Sequence, residues 1–221
     1  MDLSSSLMQA VMVLVPMILC LTVHEYAHAR AAFALGDDTA SSMGRMTLNP
    51  LPHLDLFGTI ILPLICVFSG GPFFGWAKPV PIDPTRLSRR VTMRTGVLLT
   101  AAAGPVSNIL FAIVIGLLLR VFVALDLSSP VLLQLLVTTM IINVVLAIFN
   151  LIPVPPLDGS RVLMGLLPAR AAERYAYLER NPIFVILAFA ILFTQVGRFM
   201  QVPIQVVLKG LLWITGNSGL L

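Results

Sequence analysis

An uncharged apolar run, residues 7–23, constrains the fold most, because it leads directly into His24-Glu25-Tyr26-Ala27-His28. Such a run is typical of a helix in a lipid bilayer, where backbone polar groups must be satisfied within the segment. Histidines at positions i and i+4 lie on one face of a helix, where both can bind one zinc ion while the glutamate between them acts as a general base. A glutamate flanked by two histidines is costly in an apolar segment unless a polar group or metal holds it. The sequence therefore predicts a metal site within a membrane helix.

The composition extends this prediction to the whole chain. Hydrophobic residues make up 58% of the 221 residues and charged residues 11%, against roughly 45–50% and 25% in soluble domains. We therefore predict an integral membrane protein in contact with the lipid bilayer, with a single domain over residues 1–221. The basic residues that give the net charge of +4 fall between the apolar runs, which indicates charged loops at the membrane surface and no nucleic-acid partner.

Apolar runs predict the positions of the helices. Four runs are long enough to be spans, and a fifth is weaker: residues 7–35, 95–125, 130–151, 182–196 and, as the weaker one, 203–214. Residues 56–68 are apolar but short, so a re-entrant or buried segment is expected there. The predicted fold class is an all-α polytopic membrane protein, a bundle of about 4–6 transmembrane helices.

Basic residues predict the topology. They occur at Arg30, in residues 78–94 and in residues 161–180. If these regions are all cytoplasmic, as basic loops tend to be, the first helix brings its histidines near the cytoplasmic face, and the helix ending at Asn150 returns to the same depth. No cleavable signal peptide is expected, because residues 1–6 carry no positive charge. We expect a multi-pass protein of a bacterial or archaeal inner membrane.

A catalytic zinc ion uses three protein ligands and one open position, so the two histidines leave one ligand to be found. Most of the 10 acidic residues lie in tails, in charged loops or on the opposite side of the predicted membrane. Asp158 is the favoured third ligand, because it follows three prolines on a rigid segment at the depth of the histidines. Asp55 is the alternative ligand, and a helix N-cap is the alternative role for Asp158.

Other residues give weaker signals. Cys20 shares a helical face with His24 and is a conceivable soft ligand, although a buried packing role is favoured. His53 is expected to orient the re-entrant hairpin, with catalysis as the alternative. Asn108 and Asn143 are amides inside apolar runs, where interhelical hydrogen bonding is the usual role, although Asn108 could also contact substrate. Gly104-Pro105 is expected to allow close packing against the first helix.

Several motifs together resemble the site-2 protease family of intramembrane zinc metalloproteases, in a compact form without a PDZ or CBS domain. They are His24-Glu25-Tyr26-Ala27-His28, Asn49-Pro50-Leu51-Pro52-His53-Leu54-Asp55, Gly75-Trp76-Ala77-Lys78-Pro79-Val80-Pro81, Ala103-Gly104-Pro105-Val106-Ser107-Asn108 and the segment from Asn150 to Gly159. The resemblance implies that one Zn²⁺ ion is bound by three residues, which are His24, His28 and Asp158. It further implies that Glu25 activates water and that Asn150 holds the scissile carbonyl or the developing oxyanion.

The resemblance also implies a membrane-embedded, β-like element made of residues 43–52 and 73–82, which presents an edge to an unwound substrate. Alternation of Trp76, Lys78 and Val80 beside prolines suits an edge strand.

The favoured function is that of a zinc metalloendopeptidase that cuts transmembrane or membrane-anchored proteins near the cytoplasmic face, as in regulated intramembrane proteolysis. A regulatory membrane protein is a further expected partner. The alternative is a zinc-binding membrane protein without protease activity, such as a transporter or sensor. Transport requires polar groups along a path through the whole bilayer, whereas in this sequence they concentrate at one depth, which favours the protease.

Overall fold

The computed structural model describes residues 3–69, 75–87, 91–127, 129–217 and 219, without the side chains of residues 3–6, 189, 192, 193 and 195–198. Within these residues the chain is helical and contains no strand. The α-helices in chain order are α1 (Leu3–Ala34), α2 (Thr39–Ser42), α3 (Leu62–Ser69), α4 (Met93–Ala124), α5 (Pro130–Asn150), α6 (Asp158–Leu166), α7 (Ala169–Glu179) and α8 (Pro182–Ile214). Single 3-10 turns occupy Leu51–His53 and Pro84–Arg86, and a π-helical segment, Leu56–Ile61, continues directly into α3.

Among the described residues, three helices are long and apolar enough to cross a membrane: Leu7–Ala34 within α1, then α4 and α5. They coincide with the first three predicted spans, so an all-helical membrane protein is confirmed. The predicted runs 182–196 and 203–214 form one continuous helix, α8, with Pro203 inside it. Residues 56–68 fall in a short apolar helix, Leu56–Ser69, which is below the length of a span.

The core of the bundle is formed where α4, α5 and α8 meet. Its buried side chains are Ala112, Ile115, Leu119, Leu136, Met140, Val144, Leu211 and Leu212. Helix α1 packs beside α4 and α5, with Met17 and Leu21 buried against Ala77. Because α1 and α4 run in opposite directions, the end of α1 that carries the two histidines lies beside the beginning of α4.

An extended segment, residues 75–83, crosses the bundle beside α1. Its alternate N–H groups donate to three separate elements: Trp76 to the Gly58 carbonyl at 3.1 Å, Lys78 to the His53 carbonyl at 2.9 Å and Val80 to the Glu25 carboxylate at 2.7 Å. The segment ends where the Asp83 N–H donates to the buried Asp37 carboxylate at 2.7 Å. Four contacts therefore fix this extended segment to the helical core.

The expected β-like pairing is not formed in the part of the chain that the structure describes. Residues 43–50 adopt turns and bends, and a 3-10 turn follows at Leu51–His53. The extended segment 75–83 has the predicted backbone, but Pro79 and Pro81 have no N–H groups, so at these two positions it can only accept hydrogen bonds from a paired strand. Phe73 and Phe74, which belong to the same prediction, lie outside the described residues.

The described parts of the three basic regions, which exclude residues 88–90, meet at one end of the bundle. The extended segment reaches the loop after α1 through Asp83 and Asp37, and Arg94 at the start of α4 donates from Nε to the Met164 carbonyl of α6 at 3.0 Å. Ser129, before α5, and Arg120 lie toward the opposite end, with α4 spanning the distance between them and Arg94. The basic end also holds the last turns of α1.

Cysteine labelling tests which end of the bundle faces the cytoplasm. Single cysteines replace Arg174 and Ser129, both exposed, in a chain whose own Cys20 and Cys66 are changed to alanine. Because basic loops are retained in the cytoplasm, a membrane-impermeant thiol reagent should label Ser129→Cys in intact cells and Arg174→Cys only after permeabilisation. Labelling after denaturation shows that both cysteines can react, and labelling of both from one side would contradict the predicted topology.

Candidate metal centre

Helices α1 and α6 bring together the three residues that the sequence predicts as ligands. One ligand atom from each of His24, His28 and Asp158 lies within 4.8 Å of the others. The two histidine Nε2 atoms are 3.0 Å apart, and Asp158 Oδ2 lies 3.1 Å from that of His24 and 3.3 Å from that of His28. Both histidines are buried. The arrangement is thus a compact cluster of two nitrogens and one oxygen.

Hydrogen bonds on the far side of each imidazole ring determine which nitrogen carries its hydrogen. His24 Nδ1 lies 2.6 Å from Asn108 Oδ1, and His28 Nδ1 lies 2.8 Å from the Thr100 carbonyl. Both partners are acceptors, so each Nδ1 must be the donor. In a neutral imidazole the other nitrogen then presents a lone pair. Both Nε2 lone pairs therefore point toward Asp158.

This cluster fits a zinc ion. Asp158 Oδ2 is buried and has no hydrogen-bond partner among the described residues, as expected if each imidazole carries its hydrogen on Nδ1. Three lone pairs facing each other at such distances repel, and a cation between them would turn the repulsion into coordination. Two imidazoles and one carboxylate, with a fourth position open, form a ligand set that catalytic zinc sites use.

Helix α4 approaches the histidines through residues spaced four apart, which are Thr100, Gly104 and Asn108. A Cβ atom at Gly104 would overlap the His28 ring and lie 2.6 Å from His24 Cε1. Only a residue without a side chain lets α4 come close enough for its carbonyl and amide to reach both rings. The close packing expected at Gly104 is confirmed.

The start of α6 positions Asp158. The residue before it, Leu157, is the N-cap, and no side chain caps the helix, so the Asp158 carboxylate is directed to the histidines and is not an N-cap. A Cβ atom at Gly159 would collide with the carbonyl groups at the end of α5.

A contact from α7 also holds the segment between α5 and α6. The Tyr175 hydroxyl donates to the Pro153 carbonyl at 3.1 Å. Desolvation, helped by the Glu179 carboxylate, raises the pKa of Tyr175 and keeps this donor protonated.

Glu25 and Asn150 line the same cavity, which has a volume of about 640 Å³ and also exposes His24, His28 and Asp158. Glu25 is buried, and its Oε2 accepts the Val80 N–H at 2.7 Å. Asn150 Nδ2 donates to the Leu146 carbonyl at 3.0 Å, a bond that uses one of its two N–H groups. A carboxylate and an amide thus border the cluster without belonging to it.

The alternative candidates are engaged elsewhere. Asp55 accepts the Gly58 N–H at 2.7 Å and caps the helical turn that begins at Leu56. The Cys20 thiol is buried and lies 3.7 Å from the Thr139 carbonyl. His53 is buried, pairs through Nε2 with the Thr47 carbonyl at 2.9 Å and supports the extended segment through its own carbonyl.

Sequence reasoning missed the contacts that Thr100 and Asn108 make with the ligand rings. The available signal was their spacing, since Thr100, Gly104 and Asn108 recur every four residues, as do Cys20, His24 and His28. Two such stripes on antiparallel helices can face each other along their length. Asn108 is the interhelical hydrogen-bond partner that its position in an apolar run predicted.

Comparison with known proteins gives consistent matches. A family model described as peptidase family M50 matches residues 125–194, which include Asn150 and Asp158. A Bacillus subtilis protein named as a zinc metalloprotease, YwhC, is 36% identical over 194 residues, covering 86% of this chain and 83% of that protein. Rip2 of Mycolicibacterium smegmatis, also named as a zinc metalloprotease, is 27% identical over 153 residues, covering 69% of this chain and 56% of that protein. No solved structure gives a significant match.

Exchanging one acidic residue at a time tests the ligand set. We expect Asp158→Ala to lose zinc, because it leaves two imidazoles and removes the only anionic member of the cluster. Asp55→Ala should keep zinc and lose about 0.5–2 kcal/mol of stability, as for other removed N-caps. Metal content after dialysis, measured by inductively coupled plasma mass spectrometry, distinguishes the two. Zinc loss in Asp55→Ala with retention in Asp158→Ala would overturn the assignment.

Proposed function

The chain belongs to peptidase family M50, the site-2 protease family of zinc metalloproteases, and we propose that it is an intramembrane endopeptidase that hydrolyses transmembrane or membrane-anchored proteins. The observation that supports this most is the position of the cluster of His24, His28 and Asp158, which faces a cavity between apolar helices. A peptide bond that reaches this cavity must come from a segment that enters the helical bundle. We treat residues 1–221 as one catalytic domain.

In the proposed mechanism His24, His28 and Asp158 hold one zinc ion. When bound, zinc would supply a Lewis acid for the scissile carbonyl and lower the pKa of water at the open position. The protein contributes the orientation of both imidazoles and a cavity with largely apolar walls, in which electrostatic interactions are stronger than in water.

Glu25 is the proposed general base and acid. It follows His24 directly, and its carboxylate is fixed beside the cluster by the Val80 N–H at 2.7 Å. The carboxylate takes the proton of the attacking water and delivers it to the leaving amide nitrogen. A carboxylate has two oxygens, so the bond from Val80 to Oε2 is compatible with proton transfer at Oε1.

Asn150 is proposed to donate a hydrogen bond to the carbonyl oxygen as negative charge develops on it. Its amide lines the cavity, and one N–H group is engaged with the Leu146 carbonyl at 3.0 Å, which holds the side chain in place. The second N–H group is the proposed donor. Such preorganised donors act at the developing oxyanion more strongly than at the ground-state carbonyl.

The substrate is proposed to lie in extended form beside the segment 75–83, in the β-like manner that the resemblance implies. The segment is held by its own contacts to the core. Six of its residues line the cavity: Gly75, Trp76, Ala77, Pro79, Val80 and Ile82. A helix shields its peptide bonds within its hydrogen-bonded backbone, so a transmembrane substrate must unwind locally before it is cut. Pairing with an extended segment compensates for some of the hydrogen bonds that unwinding breaks.

Because the basic end of the bundle holds the cluster, we place cleavage near the cytoplasmic face of an inner membrane. The labelling of Arg174→Cys and Ser129→Cys tests this placement.

Proteolysis by single variants tests the mechanism. Purified protein in detergent is incubated with single-span model substrates, and the products are analysed by mass spectrometry. Glu25→Gln should keep zinc and lose about 10²–10⁴ in rate, because it removes the group that moves the proton. Asn150→Ala should also keep zinc and lose about 10²–10³, as after loss of other oxyanion donors. The wild type should cut within the apolar part of the substrate.

Glu173→Gln is the matched control, because Glu173 is exposed on α7 and outside the cavity; its cleavage rate should equal that of the wild type. Near wild-type turnover by Glu25→Gln would remove Glu25 from the mechanism. Parallel loss of zinc and activity in Asn150→Ala would assign Asn150 to structure. Cleavage confined to soluble, unfolded polypeptides would contradict the intramembrane substrate class.

A further inference from the structure

We propose that Asn108 and Asn143 form an amide relay that holds His24 in its metal-binding tautomer, so that both are positioning residues for the metal centre. The inference rests on the proposed function in one respect, that His24 is a zinc ligand. The relay connects three helices, since Asn108 lies on α4, Asn143 on α5 and His24 on α1.

Both amides are completely buried. Asn108 Oδ1 lies 2.6 Å from His24 Nδ1, while Asn108 Nδ2 donates to Asn143 Oδ1 at 2.8 Å and to the Cys20 carbonyl at 3.2 Å. Asn143 Nδ2 in turn donates to the Thr139 carbonyl at 3.0 Å. Every group of Asn108 that can form a hydrogen bond is therefore engaged.

The relay has a fixed direction because it ends on backbone carbonyls. The carbonyls of Thr139 and Cys20 can accept hydrogen bonds but cannot donate them. Each amide must therefore direct its NH₂ group toward a carbonyl. Rotating either amide by 180° would place oxygen against oxygen in a buried site, which leaves polar groups unsatisfied at a cost of about 1–3 kcal/mol each. Asn108 can consequently present only its oxygen to His24.

This direction decides the tautomer of His24. A neutral imidazole carries one hydrogen, and the oxygen of Asn108 retains it on Nδ1. In the other tautomer the hydrogen would be on Nε2, which lies 3.1 Å from Asp158 Oδ2. Nε2 would then donate a hydrogen bond to Oδ2, and neither of these two proposed ligand atoms would have that lone pair available for a metal. The relay thus opposes an internal contact that competes with the metal.

His28 is held in a different way. Its Nδ1 donates to the backbone carbonyl of Thr100 at 2.8 Å, and no side-chain substitution can remove a backbone carbonyl. Of the two histidines, only His24 is therefore oriented by a side chain that a substitution can remove. Residues that orient metal-bound histidines typically change metal affinity by about 10–100-fold when they are replaced.

The test measures zinc affinity and the visible spectrum of the cobalt-substituted protein, neither of which depends on protease activity. Asn108→Leu should bind zinc about 10–100-fold more weakly than the wild type in competition with a chelator, and its cobalt bands should shift. Asn108→Asp keeps an acceptor for His24 Nδ1, so it should bind zinc more tightly than Asn108→Leu. Asn143→Leu should show a smaller loss, because it removes the group that orients Asn108 and leaves Asn108 in place.

Asn217→Leu is the matched control. Asn217 is a buried amide that donates to the Gly116 carbonyl at 2.8 Å, two turns further along α4 than Asn108. Its replacement should lower thermal stability and leave zinc affinity and the cobalt spectrum unchanged.

Wild-type zinc affinity and cobalt bands in Asn108→Leu would overturn the relay, even if thermal stability fell. If Asn108→Leu does not fold, Asn143→Leu decides, and wild-type zinc affinity in that variant would overturn the relay equally. Failure of the wild type itself to bind zinc would instead contradict the proposed function. The two failures are distinguishable because every variant is compared with the wild type.

Discussion

The close approach of two imidazole nitrogens is the contact on which the rest of the structure depends. The Nε2 atoms of His24 and His28 are 3.0 Å apart, and Asp158 adds an oxygen lone pair to the same point. With a hydrogen on each Nδ1, the three lone pairs would repel without a cation between them, so the surrounding structure must hold the cluster together. Acceptors on α4 fix both rings, Gly104 lets α4 approach, and the tight junction before α6 brings in Asp158.

The membrane setting explains why the amides of Asn108 and Asn143 and the Glu25 carboxylate are each paired within the protein. A bilayer core offers no water to an unpaired amide or carboxylate, so each needs a partner within the protein. Interhelical hydrogen bonds of this kind contribute about 0.6–2 kcal/mol each. A change of 10–100-fold in metal affinity corresponds to about 1.4–2.8 kcal/mol. The expected effect of Asn108 on the metal site is therefore of the same order as the contribution of its hydrogen bonds to helix packing.

The sequence predicted most of the cluster but not the contacts that orient it. His24 and His28 follow from helical spacing within an apolar run, and the exclusion of other acidic residues favoured Asp158 with Asp55 as the alternative. The role of Asn108 could not be derived in this way, because it depends on how α1 and α4 are aligned across 84 residues of chain. The resemblance implied a β-like segment; residues 75–83 are extended, but the N–H groups of Trp76, Lys78 and Val80 donate to three separate elements. Pro203 lies inside α8 and does not divide it.

Zinc K-edge X-ray absorption spectroscopy of the purified protein tests the central claim most directly, because it reports the atoms around the metal without reference to activity. If His24, His28 and Asp158 hold zinc, the spectrum will show imidazole scattering from two histidines, with all first neighbours nitrogen or oxygen at about 2.0–2.2 Å. Asp158→Ala should lose this spectrum together with its zinc. Sulfur neighbours at about 2.3 Å, or zinc retained by Asp158→Ala in an unchanged environment, would contradict a centre built from α1 and α6.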